Sequence, residues 1–246
     1  VAFCHPKNIA SLKILEKCGF SVEGERVTLR CVDEPERFVY LPALSEGGVD
    51  EWRECLDLGC RDFVLVSING LSWDDSLTPW PCEAVFRNGN PYGGLAKRQL
   101  DLIENEIIPR AETALLGVGC ASQRHRRYLC GYSLAGLFAT WASLESDAFD
   151  GVASASGSLW FPRFSEHVEG ARGCLLESRL NRAYFSLGKK ETRSPNRYLR
   201  NVAEATRSVV NAFESEGIDV CFEENPGNHF SEVSRHMAKG IRWLLR

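Results

Sequence analysis

The sequence predicts a doubly wound, mostly parallel α/β sheet with helices on both faces. Three observations carry that reading. Short apolar runs alternate with longer helix-compatible runs from about Val27 almost to the C-terminus. The run Asp62 to Ile68 is continuously apolar at its centre, as expected of a strand covered on both faces. The stretch Arg127 to Gly136 reads as strand, sharp turn, helix, with Ser133 at the turn and small residues (Gly131, Ala135, Gly136) on either side of it.

Composition sets the outer bounds. The chain has 246 residues, enough for one domain or one domain with an appendage, and 44% hydrophobic residues, enough for a full core. A formal charge of −4 gives no electrostatic case for nucleic acid or an anionic membrane. Apolar runs are too short for a membrane span. The start, Val1 to Lys7, lacks a signal peptide's basic stretch and apolar core, and it lacks an initiator methionine, which is read as a start inside a longer product. The ten cysteines are irregularly spaced, and Cys130 and Cys221 lie within strand-like runs, so free buried thiols in a cytoplasmic protein are expected. No Cys-x-x-Cys pair and no zinc-type spacing is present.

Taken in order, residues 1–26 predict an N-terminal helical appendage. Ile9, Leu12, Ile14 and Leu15 form its stripe, and Gly19 is its stop. Residues 27–246 form the main domain. Strands are expected over Val27 to Val32 and Arg37 to Ala43, then a helix over Val49 to Leu58 capped by Gly59, then the strand Asp62 to Ile68. This strand–helix–strand spacing is that of a crossover unit. Asn69 to Gly94 reads as a long irregular loop, a feature usually tied to function. Leu95 to Leu116 is helical, with Pro109 a kink or restart. After the Ser133 turn and its helix come a strand from Gly151, a helical excursion over Glu166 to Leu180, and a strand over Ala183 to Leu187. A long helix Tyr198 to Gly217, a last strand Val220 to Glu224, a glycine-containing loop through His229 and a final helix Ser231 to Leu245 complete the chain.

A serine at such a turn needs a base, and a histidine's pKa near neutrality suits it. It also needs a carboxylate to fix the histidine tautomer and favour the imidazolium. His229 is the strongest base candidate, because it sits in a loop directly after a strand and follows Ser133 in the chain. Glu191, just past the strand end at Gly188, is the preferred acid. Glu224 is its main rival, with Glu223 and Asp219 behind it. The order Ser133, Glu191, His229 is that of the α/β-hydrolases. The N–H of Leu134 is one candidate oxyanion donor, and that of Leu44, with Ala43 as fallback, is the second. Trp80, Trp160 and Tyr132 are the substrate-binding candidates, with no metal and no organic cofactor implied.

The segments Gly131 to Gly136, Ser154 to Trp160, Ser186 to Glu191 and Asn228 to Phe230 together resemble the putative esterase family of the α/β-hydrolase superfamily, which includes esterase D and the enterochelin esterases. The resemblance runs from about Arg37 to the C-terminus. It implies hydrolysis of a carboxylic ester, thioester or siderophore ester, with Ser133, His229 and Glu191 in the matching places. The sequence departs from the family at Ala135, where glycine is usual, and at Leu41-Pro42-Ala43, where His-Gly or Asp-Gly is common. A siderophore substrate would call for arginines near the site, for which Arg87, Arg98 and Arg163 are the candidates. Residues 5–20 also resemble the tail of a GCN5-related acetyltransferase, with Asn8 and Ser11 at positions near the acyl-CoA site, but over too short a stretch to imply that activity. The expected function is a serine carboxylic-ester hydrolase acting on a small-molecule ester, without nucleic-acid or membrane partners and with a homodimer allowed. Acyl transfer by the same three residues, or a non-catalytic binding role for the fold, are the alternatives.

Overall fold

Continuous apolar runs such as Phe38 to Leu41 and Phe63 to Val66 form the centre of an eight-stranded sheet in a computed structural model that describes residues 15–31, 36–116, 125–193 and 196–246. The strands are β1 (Leu15–Val22), β2 (Glu25–Cys31), β3 (Arg37–Pro42), β4 (Phe63–Asn69), β7 (Arg126–Tyr132), β8 (Gly151–Ala155), β9 (Arg182–Gly188) and β10 (Asp219–Asn225), in the order β1-β2-β4-β3-β7-β8-β9-β10. The short pair β5 (Pro81–Cys82) and β6 (Tyr92–Gly93) stands apart from it. From β4 to β10 every neighbour is parallel, while β2 runs antiparallel to both β1 and β4.

Alternate residues of each strand feed two separate cores, because successive side chains point to opposite faces. Phe38, Tyr40, Val64 and Val66 face one side, against α3 (Ala96–Leu102), α4 (Ile108–Leu116), α5 (Leu134–Glu145), α6 (Phe164–Glu177) and α8 (Val202–Ser215). Val39, Leu41, Leu65 and Tyr128 face the other, against α1 (Val49–Asp57) and α9 (Val233–Leu244). Helix α5 is apolar all round and buried from Leu134 through Leu144, so it reads as core rather than as an amphipathic surface helix. The predicted α/β-hydrolase fold, doubly wound and mostly parallel with helices on both faces, is the fold observed.

The N-terminal reading needs correction. Residues 1–14 of the expected helical appendage lie outside the described residues, and Leu15–Val22 is a strand paired with β2. Gly19, read as a helix stop, marks a register shift between Cys18 and Phe20, the position of a β-bulge. The link to β2 is the dipeptide Glu23-Gly24, with φ of 47° and 88°, the left-handed pair a tight hairpin turn requires.

Three smaller differences have local causes. The loop after β4 carries a short helix α2 (Trp73–Ser76) and the β5–β6 pair. Upstream of Pro109 the helix widens into a π-turn over Ile103–Ile107, where proline's missing N–H disturbs the regular ladder. The long helix expected from Tyr198 is split at Asn201 into α7 (Arg197–Arg200) and α8. Among the described residues, Cys55, Cys60, Cys82, Cys130 and Cys221 are free thiols, and no helix is long and apolar enough to cross a membrane.

The direction of chain progression reverses around β3: β4 lies on one side of it and β7 on the other. That is a topological switch point, where the carboxyl ends of adjacent strands open a crevice. Integrity of the central sheet depends on side chains such as Phe185, fully buried and edge-on to Phe213 at 5.4 Å between ring centroids. Phe185→Ala is expected to cost about 3–5 kcal/mol, read as a lower urea midpoint at unchanged slope.

Candidate active site

β7 ends at Tyr132 and α5 begins at Leu134, leaving Ser133 alone in the turn with φ 57° and ψ −120°. The geometry requires glycine two residues before the serine. A Cβ on Gly131 would lie 2.0 Å from the carbonyl oxygen of Ala135, and one on Gly136 would lie 2.7 Å from Ser154 Oγ. The position two after the serine tolerates alanine, since Ala135 packs fully buried. Backbone bonds hold the strained residue: Ser133 N–H donates to Ala155 O at 3.2 Å, and Ser158 N–H donates to Ser133 O at 2.9 Å.

The loop after β10 brings His229 over this turn. Its Nε2 lies 3.1 Å from Ser133 Oγ, and its Nδ1 lies 2.9 Å from Glu191 Oε2. Tyr132 donates its hydroxyl to the His229 carbonyl oxygen, and its ring lies 4.9 Å from the imidazole. Glu191 opens a 3₁₀ turn after β9, is buried, and takes two further hydrogen bonds on Oε1. These come from Ser156 Oγ at 2.7 Å and from the Gly188 N–H at 2.5 Å. Burial is the largest influence on this carboxyl and pushes its pKa up. The hydrogen bonds from His229, Ser156 and the Gly188 N–H together outweigh burial, so the carboxyl sits below its ordinary 4.5. An ionised Glu191 accepts from Nδ1–H, which leaves the Nε2 lone pair facing the Ser133 hydroxyl.

The rival carboxylates are engaged elsewhere. Glu224 pairs with Arg207, Glu223 with Lys239 and the Tyr184 hydroxyl, and Asp219 lies near Arg182. Ala43 N–H is taken by Ile68 O at 3.0 Å, so the fallback oxyanion donor is unavailable. Leu44, the expected second donor, is 52% exposed and is not among the residues lining the cavity. The loop is fixed by Asn69, which donates to the carbonyl oxygens of Ala43 and Ser45 and accepts from the Gly47 N–H.

A cavity of about 350 Å³ opens over Ser133 and is lined by Leu134, Ser158, Glu191 and His229 together with Trp73, Phe86, Tyr92, Trp160 and Phe230. Trp160 is thus a wall, as expected. Trp80 and Tyr132 are not. Trp80 donates its indole N–H to Pro162 O and packs on Phe161, anchoring the long loop to the body, while Tyr132 holds the His229 loop from behind. Sequence reasoning missed Ser156 as a partner of Glu191, and Ser158, whose Oγ lies 3.4 Å from Ser133 Oγ. The run Ser154 to Ser158 signalled a polar sheet edge without saying which hydroxyl meets which group.

No protein-family model matches the chain. Among curated proteins it is 24% identical over 189 residues to the uncharacterised protein YbbA of Bacillus subtilis, covering 74% of this chain and 73% of that one. Among solved structures it is similar to an IroE-like serine hydrolase from Shewanella oneidensis, with TM-score 0.71, 18% identity and coverage of 95% of this chain and 80% of that one. It is also similar to the siderophore hydrolase EstA of Aspergillus nidulans, with TM-score 0.66, 20% identity and coverage of 100% and 98%. The molecule shares the α/β-hydrolase fold of these structures.

Ionised Glu191 ties stability to pH. With its folded pKa below 4.5, the contribution is present above that value and is lost as pH falls through the folded one. Ser156→Ala removes a donor and raises the folded value. The acid-unfolding midpoint followed by circular dichroism should therefore move to higher pH, with a loss of about 1 kcal/mol at neutral pH.

Proposed function

We propose that the chain is a serine hydrolase that cleaves a carboxylic ester or thioester through an acyl-enzyme. The observation that carries this reading is His229, placed between Ser133 Oγ at 3.1 Å and Glu191 Oε2 at 2.9 Å. As the ester carbonyl carbon approaches Ser133, Nε2 takes the hydroxyl proton and Oγ forms the new C–O bond. Glu191 stabilises the imidazolium and holds the ring in its productive tautomer. The carbonyl oxygen, now negative, sits at the N-terminus of α5, where the Leu134 N–H and the helix dipole favour it. The Leu44 N–H is the second donor, from a loop that Asn69 keeps rigid. The imidazolium then gives its proton to the leaving alcohol or thiol. Water enters, loses a proton to Nε2 and attacks the acyl carbon, and the carboxylic acid departs as Ser133 regains its hydrogen.

Two further findings support the reading. Ser133 is held at a positive φ that a serine adopts only under constraint. The neighbours in fold include proteins named as serine and siderophore hydrolases. The free thiols among the described residues support a reducing compartment, and so the cytoplasm.

Labelling with an uncharged fluorophosphonate, followed by intact mass, should give one adduct on the wild type and none on Ser133→Ala. Absence of an adduct on folded wild type would remove the hydrolase reading. On a cleavable ester, Ser133→Ala or His229→Ala should lower kcat by roughly 10⁴-fold or more, and Glu191→Gln by about 10²–10⁴-fold, with folding intact by circular dichroism.

A further inference from the structure

The cavity over Ser133 has a one-sided electrostatic character that the ester-hydrolase reading does not use. Its wall is aromatic: Trp73, Phe86, Tyr92 and Trp160, with Phe230 at the mouth and 82% exposed. Aromatic faces carry negative potential and attract cations. Two carboxylates line it. Glu191 is committed, one oxygen to His229 and the other to Ser156 and the Gly188 N–H. Asp74, the second residue of α2, is not. Among the described residues its carboxylate takes part in no hydrogen bond or ion pair, whereas its neighbour Asp75 accepts from Ser72. Asp74 lies close enough to the Tyr92 hydroxyl to add to burial in pushing that phenol up to about 12.

No lysine or arginine lines the cavity among the described residues. Of the three arginines that a highly anionic substrate would need, Arg98 pairs with Glu23 and Arg163 stacks 5.3 Å over the Trp80 ring. Arg87 is not among the lining residues. An anionic group in this space would meet the Asp74 carboxylate with no lysine or arginine of the described residues beside it.

We propose that the part of the ester filling this cavity carries an alkylammonium group, with Asp74 as the specificity-determining residue. This rests on the ester-hydrolase reading. The aromatic wall takes the apolar shell of such a group and Asp74 takes its charge, the two-part chemistry that recognises amines and quaternary ammonium ions. The cavity's volume of about 350 Å³ lies toward the small end of ligand sites, suited to a compact ester.

The test separates binding from turnover. Benzyltrimethylammonium and phenylacetate, an aromatic cation and an aromatic anion, are titrated against tryptophan fluorescence, since Trp73 and Trp160 line the cavity. The cation should bind about tenfold or more tighter than the anion. Asp74→Asn should bring the two toward parity, and Asp74→Glu should keep the preference. In turnover, a thioester of thiocholine should exceed its uncharged tert-butyl isostere in kcat/KM by roughly tenfold, and the ratio should fall toward one in Asp74→Asn. Equal or tighter binding of phenylacetate to the wild type, or an Asp74→Asn variant with the wild-type preference, would overturn the proposal. Because the titration needs no chemistry, its failure is distinct from failure of fluorophosphonate labelling, which would overturn the hydrolase reading instead.

Discussion

The close passage of the Ser133 turn over the first turn of its own helix is the constraint on which the rest depends. The backbone at Gly131 and the carbonyl of Ala135 approach so nearly that no side chain fits between them. Ser133 is left at a positive φ that lifts its hydroxyl out of the sheet edge. Such a conformation persists only where surrounding structure over-determines it. Here the surroundings are a helix buried from Leu134 to Leu144 and two backbone bonds to the β8 end and the loop after it. The burial of α5 along its apolar length is what anchors the turn against relaxation.

Electrostatics complete what sterics begin. A buried carboxylate without partners would hold its proton and could not orient a histidine. Glu191 avoids this because the ends of β8 and β9 supply donors from two directions, the Ser156 hydroxyl and the Gly188 N–H. The sheet edge therefore supports all three groups. β7 presents the serine, the turn after β9 presents the acid, and the loop after β10 presents the histidine, whose carbonyl is tied back to Tyr132 on β7. The cavity is walled by the long loop after β4, which is tied down through the Trp80 indole and by the packing of Tyr92 against Phe161 at 5.3 Å.

Much of this was legible in the chain. Apolar runs and alternation located the strands of the eight-stranded sheet from β2 onward, the central ones because a strand buried on both faces is apolar throughout. The Ser133 turn declared itself through its small neighbours, and His229 and Glu191 through their places after strands. One local reading needed the fold: the expected N-terminal helix extended over Leu15 to Gly19, yet Leu15–Val22 pairs as a strand with β2. The long loop hid the short α2 and the β5–β6 pair because two- and four-residue elements leave no periodic trace.

The sequence by itself determined the fold class, the turn that exposes Ser133 and the chain order of serine, acid and histidine, because each depends on residue type at short range or on a repeated pattern. Only the tertiary structure decided which carboxylate stands beside His229, that Ser156 supports it, and that Trp160 rather than Trp80 or Tyr132 walls the cavity. It also decided that Asp74 lines that cavity and that no lysine or arginine among the described residues does. Those properties belong to residues far apart in the chain, and their distances are set by how the strands are ordered in the sheet and how the loops fold back over its edge.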